Sequence, residues 1–526
     1  MKVTTVYGAA GTGKTTFVTK ELLNKLNDDE IRNVVALSFT RAAKTALLNK
    51  EERLKSNQVR TLHSICFERL ELTSDNLLTD DIISEFMDYL DLPYQPNAVI
   101  DDELEAQEEY LGNLYLKWYG KLLNEAPRFL KSNGKIDLTA FVARYKDALI
   151  ELAPKRWIQF VKDFNYLQDE LKKYSYEAIL YKAWKKNIKI DGSYLILDEA
   201  QDLSPLMYEI IKANMENFDE VWILGDDDQT IYTALNGAEA EFLLDYPADK
   251  RIILEKSWRL PKRIWLLALK YIRMNHRRVD KDFTHRDDLG MLTKIHWLDD
   301  QLLKDEKKTF ILCRHKKGVW FVRQLLEKKD IPYSILGAKN KNKPYNEKLV
   351  SALKAYDMIR YNENERPVST VMWDNLLHFL KDEIVHYIFG EPKECLIGSL
   401  IFDKYAKELI EEYPKLREVF TRFAPSSIMS EKTTTVEKWY RRIHNFKGWA
   451  EPKITIGTIH QSKGLEADRV ILFTAMNART YLQMKTEYER RVWYVGVTRA
   501  REELYLWVPG KGKFNEELVM LSSFIF

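Results

Sequence analysis

The sequence predicts an α/β chain of two parallel-sheet units, each interrupted by a mainly helical insertion, and three observations carry that prediction. A β-prone run, Val3 to Tyr7, leads through a glycine loop into a helical stretch at Thr16 to Leu26, and a second apolar run, Val34 to Phe39, follows at the spacing of a parallel βαβ unit. Strand-like runs return at Tyr194 to Leu197, Val221 to Leu224, Ile252 to Leu254 and Phe310 to Leu312, and again at Ile454 to Ile456, Arg469 to Phe473 and Leu504 to Val508. Helical patterning fills the two gaps, residues 67–187 and 361–449.

In the first gap Phe160, Phe164, Leu167, Leu171, Tyr174, Ala178 and Tyr181 recur at alternating spacings of four and three, the signature of one buried helix face. The acidic residues Asp101, Asp102, Glu103, Glu105, Glu108 and Glu109 read as a solvated face rather than a metal cluster. Pro392, Pro414 and Pro425 punctuate the second gap. The expected division is residues 1–66 with 188–250 as a first α/β unit, 67–187 as its insertion, 251–360 with 450–526 as a second, and 361–449 as a smaller insertion. The apolar end, Phe514 to Phe526, is expected to dock on its own unit rather than act as a partner tail.

Composition suits this plan. A chain of 526 residues holds several packed units at about 100–200 residues each. With 45% hydrophobic and 30% charged residues it matches ordinary globular chains rather than disordered or membrane ones. A net charge of +2 neither demands nor excludes a polyanionic partner, so any basic surface is local. Cys66, Cys313 and Cys395 stand far apart without a CxxC pair, which argues against a zinc site or a disulfide framework. Apolar stretches such as Ile264 to Leu269 fall short of a membrane span, and Met1 runs into the glycine loop without a signal-type region; a cytoplasmic protein without membrane association is expected.

Gly8-Ala9-Ala10-Gly11-Thr12-Gly13-Lys14-Thr15 fits G-x-x-x-x-G-K-[ST] between a strand and a helix. Small residues there let backbone N–H groups curl around phosphate oxygens, Lys14 reaches the β- and γ-phosphates, and Thr15 can ligate Mg²⁺ beside Thr16. The apolar strand Tyr194 to Leu197 ends in Asp198 and Glu199. Asp198 can hold Mg²⁺ while Glu199 polarises an attacking water; the plain alternative is an acidic cap on the next helix.

Further along come Gly225-Asp226-Asp227-Asp228-Gln229-Thr230-Ile231-Tyr232, then Ser257-Trp258-Arg259, then Gly457-Thr458-Ile459-His460-Gln461-Ser462-Lys463-Gly464-Leu465-Glu466, and last Tyr494-Val495-Gly496-Val497-Thr498-Arg499-Ala500. In this order, with the P-loop and the stretch Asp198 to Asp202, the chain resembles the UvrD/Rep/PcrA group of superfamily 1A DNA helicases, across both α/β units from residue 1 to about 508. The resemblance implies two RecA-like P-loop domains with ATP between them and single-stranded DNA across their upper surface. It implies Lys14, Glu199, Gln229, Arg259 and Arg499 as catalytic, the last two as arginine fingers on the γ-phosphoryl group. Gly8, Gly11, Gly13, Lys14, Thr15, Thr16, Trp258 and Glu466 would bind the nucleotide, Trp258 by stacking on the base and Glu466 at the ribose, with Thr15 and Asp198 at the metal.

For DNA the resemblance implies Phe39, Thr40, Arg41, Thr61, His63, Tyr232, Thr458, His460 and Lys463, a mixture of stacking faces, hydroxyls and cations suited to sequence-tolerant single-strand binding. Taken alone, Trp258 reads first as packing and Arg259 as a surface arginine, while His63 keeps the alternative of a core histidine and Lys463 that of a helix-start lysine. The expected activity is ATP-dependent translocation on single-stranded DNA and 3′-to-5′ unwinding at duplex junctions, alongside replication or repair proteins. The alternatives are a non-unwinding ATP-gated DNA switch or recruitment module, and an RNA-directed motor. Three departures from the group stand out. The P-loop begins at Gly8 without an upstream adenine-reading glutamine, so relaxed nucleotide selectivity is expected. Thr233, Ala234 and Leu235 stand where relatives stack Trp and Arg on a base, and the second insertion is short.

Overall fold

The computed structural model describes residues 1–38, 41–96, 111–239, 241–244, 246–305, 307–329, 331–337, 347–363, 365–398, 402–445, 452–509 and 518–520. Six strands, β1 (Lys2–Gly8), β2 (Val34–Leu37), β3 (Val59–Arg60), β4 (Tyr194–Leu197), β5 (Glu220–Gly225) and β6 (Lys250–Leu254), pair in parallel in the order β3-β2-β4-β5-β1-β6. Strand β1 is buried at six of its seven positions, because a central parallel strand has helices over both faces and so carries a near-continuous apolar run. The glycine loop, the Asp198-Glu199 pair and the Asp226–Gln229 loop leave the carboxyl ends of β1, β4 and β5, the edge where open α/β sheets bind ligands.

A short parallel pair, β7 (Lys256–Pro261) and β8 (Thr284–Arg286), leads to the second unit. There follow β9 (Met291–Ile295), β10 (Thr309–Cys313), β11 (Tyr333–Ile335), β12 (Ile454–Thr458), β13 (Ala467–Phe473), β14 (Ala475–Asn477), β15 (Ala500–Trp507) and β16 (Leu518–Met520). Six of them form an all-parallel sheet in the order β11-β12-β10-β13-β15-β9. Strand β16 pairs antiparallel with β14, so this part of the apolar end lies on its own unit. The fold is thus the expected α/β arrangement of two parallel-sheet units, consistent with RecA-like helicase domains, with helices inserted in each.

Two expected divisions shift. Arg251 to Leu254 pair with Thr5 to Gly8, so the first sheet runs four residues past the division at 250. Helix Glu347–Arg360, expected in the second α/β unit, buries Leu349, Leu353 and Tyr356 among Trp373, Leu376 and Phe420 of the insertion. The Tyr356 hydroxyl donates to the Phe420 and Phe423 carbonyls at 2.9 and 2.6 Å, which fixes that helix to the insertion core.

The aromatic stripe of the first insertion is split between two helices, Pro154–Leu171 and Tyr176–Lys185, with Lys172 in the left-handed region (φ 50°) and Leu171 44% exposed. Ser175 caps the second helix by accepting the Ala178 N–H at 3.3 Å. Phe160 and Phe164 are buried as expected, stacked at 5.4 Å beside Trp157 and Phe141. The helix expected at Thr16 to Leu26 runs from Lys14 to Glu21 and tightens into a 3₁₀ turn at Leu23–Lys25. Residues 101–109 lie outside the described residues. No helix among those described is long and apolar enough to cross a membrane.

Candidate functional site

The glycine loop closes on itself before it meets anything else. The Thr12 hydroxyl donates to the Ala9 carbonyl at 2.9 Å, and Gly13 takes a left-handed φ of 80° to start helix Lys14–Glu21. Gly11 (φ 74°) is required twice over: a Cβ there would stand 2.3 Å from the Arg259 Cβ. That approach joins the two lobes, since the Trp258 N–H donates to the Gly11 carbonyl at 2.9 Å and the Ser257 hydroxyl to the Ala10 carbonyl at 2.7 Å. Lys14 folds back, its ammonium donating to the Gly8 carbonyl at 3.0 Å. Thr16 accepts from Lys50 at 2.6 Å.

Across the loop, the Thr15 hydroxyl lies 3.4 Å from Asp198 Oδ2. Burial, with the charge of Glu199, pushes the Asp198 carboxyl up to about 6. Glu199 sits in the left-handed region (φ 54°), a conformation that costs a non-glycine residue energy. Burial alone would raise its carboxyl, but the ammonium groups of Lys14 and Lys463 and the amide of Gln201, donating at 2.6 Å, hold it below the usual range.

The second lobe brings cations to the same place. Arg499 is fully buried and donates to Gln229 Oε1 at 2.9 Å, while Gln229 donates to Asp226 at 2.7 Å. Burial and the neighbouring Arg259 push the Arg499 guanidinium down to about 9. Arg259 is paired with Glu466 at 2.6 Å, and Arg501 holds the other oxygen of Glu466 at 3.3 Å. Trp258 stands 67% exposed at the rim with Lys256 5.0 Å from its ring. Lys14, Thr15, Asp198, Glu199 and Gln229 from one lobe and Trp258, Arg259, Lys463, Glu466 and Arg499 from the other thus line one cleft of about 470 Å³. A larger cavity of about 590 Å³, lined by Leu122, Leu123 and Leu72 with several lysines, lies in the first insertion and holds none of these residues.

The residues expected at DNA are more scattered. Phe39 and Thr40 lie outside the described residues, and Arg41 opens helix Arg41–Leu48. Thr61 caps helix Leu62–Arg69 by accepting the Ser64 N–H at 3.2 Å. His63 packs edge-on against Tyr176 at 6.0 Å, and burial pushes its imidazole down to about 4, so it is neutral at physiological pH. Thr458 is buried with its N–H and hydroxyl on Gln461 at 2.9 and 3.2 Å, and His460 Nε2 lies 3.1 Å from the Tyr488 hydroxyl. Lys463 stands 5.1 Å from the Tyr232 ring and donates to Asp202 and to the Gln229 carbonyl, both at 2.5 Å. Its ammonium faces the cleft rather than an open surface.

Three cleft residues escape a motif reading. Asp202, pushed up to about 6 by burial against the pull of Lys463, was visible in the Asp198 to Asp202 stretch without a role. Lys50 and Arg501 carry no local signal; only the folded chain brings them to the cleft.

Comparison with known proteins gives the geometry a context. The UvrD/REP helicase N-terminal domain matches residues 1–250, and the UvrD-like helicase C-terminal domain matches residues 443–509. The ATP-dependent DNA helicase PcrA of Staphylococcus epidermidis is 22% identical over 604 residues, covering 95% of this chain and 80% of that protein. PcrA of Staphylococcus aureus is also 22% identical, over 607 residues with the same coverage. The putative ATP-dependent DNA helicase YjcD of Bacillus subtilis is 23% identical over 394 residues, 60% of this chain, and the match spans about half (52%) of its length.

Proposed function

The chain belongs to the UvrD/REP helicase family, and from that premise we propose that it is an ATP-dependent translocase on single-stranded DNA that unwinds duplex junctions from 3′ to 5′. One observation carries the reading: the cleft unites the phosphate loop, Asp198, Glu199 and Gln229 of one lobe with Arg259 and Arg499 of the other. A triphosphate held there touches both lobes, so loss of its terminal group loosens one from the other.

Within that cleft Lys14 holds the β- and γ-phosphates, Glu199 and Gln229 orient the attacking water, and Arg259 and Arg499 stabilise charge on the phosphoryl group as it passes to water and ADP leaves. Trp258 offers its exposed face to the base and Glu466 its carboxylate to the ribose. Phe39, Thr40, Arg41, Thr61, His63, Tyr232, Thr458 and His460 follow the strand through stacking and phosphate contacts, in the cytoplasm, whereas Lys463 is held in the cleft by Asp202 and the Gln229 carbonyl. The test is unwinding of duplexes carrying either a 3′ or a 5′ overhang, with ATP hydrolysis followed alongside. Single strands should accelerate hydrolysis steeply and only the 3′ overhang should be unwound; an unaffected rate, or equal use of both overhangs, contradicts the proposal.

The residues present suit Mg²⁺. A half-buried hydroxyl and a buried carboxylate 3.4 Å apart, with that carboxyl pushed up to about 6, make a donor pair short of positive charge. Thr15 and Asp198 would hold the ion, which when bound neutralises phosphate charge. A pH dependence follows. A carboxyl raised from 3.8 to about 6 in the fold favours the folded state fully below the lower value and loses that contribution as pH rises through the upper one. The metal offsets the loss only where Asp198 is ionised. Mg²⁺ with a nonhydrolysable ATP analogue should therefore raise the melting temperature more at pH 7.5 than at pH 5.5, and Asp198→Asn should remove the difference. A shift independent of pH would contradict this assignment.

A further inference from the structure

Three aspartates follow strand β5, and none meets solvent: Asp226, Asp227 and Asp228 are fully buried. Their carboxylates converge within 4.8 Å, the spacing of a cation site, and the chain supplies the cation itself. Lys281, 1% exposed, sets its ammonium 3.1 Å from Asp226, 3.0 Å from Asp228 and against Asp227. Arg278 grips Asp228 with a two-pronged contact at 3.0 and 2.9 Å, and the Val279 N–H donates to Asp227 at 2.9 Å.

The two partners belong to different lobes. The aspartates extend the first sheet, whereas residues 275–277, which lead into Arg278, are tied to helix Glu487–Val497 of the second. Glu487 accepts the His276 and Arg277 N–H groups at 2.7 and 3.3 Å, and Arg491 donates to the Arg277 carbonyl at 2.7 Å. The effect reaches Gln229. Asp226, held by Lys281, accepts the Gln229 amide N–H and so leaves Gln229 Oε1 facing Arg499; the Gln229 carbonyl meets Lys463.

We propose that Arg278 and Lys281 are positioning residues that lock the 226–229 loop to the second lobe, so that Gln229 follows that lobe rather than the sheet it leaves. A two-pronged guanidinium contact fixes direction as well as distance, and buried carboxylates without a cation are strongly unfavourable, so the loop has one register relative to the second lobe. The claim rests on the cleft hydrolysing ATP, as proposed above. It adds a route: whatever shifts the second lobe on DNA reorients Gln229 through residues that touch neither nucleotide nor strand.

The experiment compares Arg278→Gln and Arg278→Lys with the wild type in kcat and KM for ATP, with and without a single-stranded oligonucleotide, and in melting temperature. Arg278→Gln should lower DNA-stimulated kcat by about tenfold with KM for ATP within about twofold. Arg278→Lys, which keeps the charge but loses the fork, should recover part of kcat and serves if the glutamine variant does not fold. A folded variant with wild-type kcat overturns the lock, as does a kcat loss matched by an equal rise in KM. A wild type that hydrolyses ATP without DNA stimulation would instead sink the motor reading, and the lock would then be judged on the kcat of the protein alone.

Discussion

Lys14→Ala is expected to abolish ATP hydrolysis, with and without DNA, while leaving the protein folded. Among the described residues the hydrogen bond its ammonium donates is the 3.0 Å bond to the Gly8 carbonyl, worth about 2 kcal/mol, so the melting temperature should fall by no more than a few degrees. The functional loss is far larger, because a cation aimed at the transferring phosphoryl group is worth about 100- to 1,000-fold in rate. Lys14 also helps hold Glu199 ionised in a buried site, so its removal also impairs the group proposed to activate water. Steady-state hydrolysis with saturating oligonucleotide, read beside a melting curve, checks both halves. Residual turnover above about one hundredth of wild type would contradict the role.

How much of this was legible depends on how local each signal is. The glycine loop, Asp198-Glu199 and Gln229 stand at strand ends, where a few consecutive residues fix both the turn and the chemistry, and the motif order brought Arg259 and Arg499 to the same cleft. What failed was long-range. The aromatic stripe keeps its phase through Leu171 and Tyr174, so periodicity passes straight over the left-handed turn at Lys172. Helix Glu347–Arg360 was expected in the second α/β unit, because nothing local in a sequence says which core a segment joins. Strand β3 is two residues long and β9 is a half-exposed edge strand, too short or too mixed for an alternation to show. The pairing of Lys281 with Asp227 spans 54 positions and has no local mark at all.

Arg499→Ala separates binding from turnover. In the structure the guanidinium donates to Gln229 at 2.9 Å, to the Val495 carbonyl at 2.9 Å and to the Leu465 carbonyl at 3.2 Å, so it spans the lobe boundary and is aimed by the backbone of its own lobe. Its charge is poorly solvated: burial and Arg259 push the group down to about 9, so the site holds a cation that gains most when negative charge develops opposite it. A contact that strengthens chiefly in the transition state lowers kcat when removed and spares ground-state affinity. DNA-stimulated kcat should therefore drop by about 1,000-fold, with KM for ATP changed by less than about threefold. The alanine variant leaves the Val495 and Leu465 carbonyls without this donor, so Arg499→Lys is the companion: it keeps a charge, loses the fork, and should retain most of the defect. A KM that rises in step with the loss of kcat would make Arg499 a binding residue. Wild-type turnover in a folded Arg499→Lys protein would mean that charge alone suffices, and the geometric coupling between Gln229 and Arg499 would carry no catalytic weight.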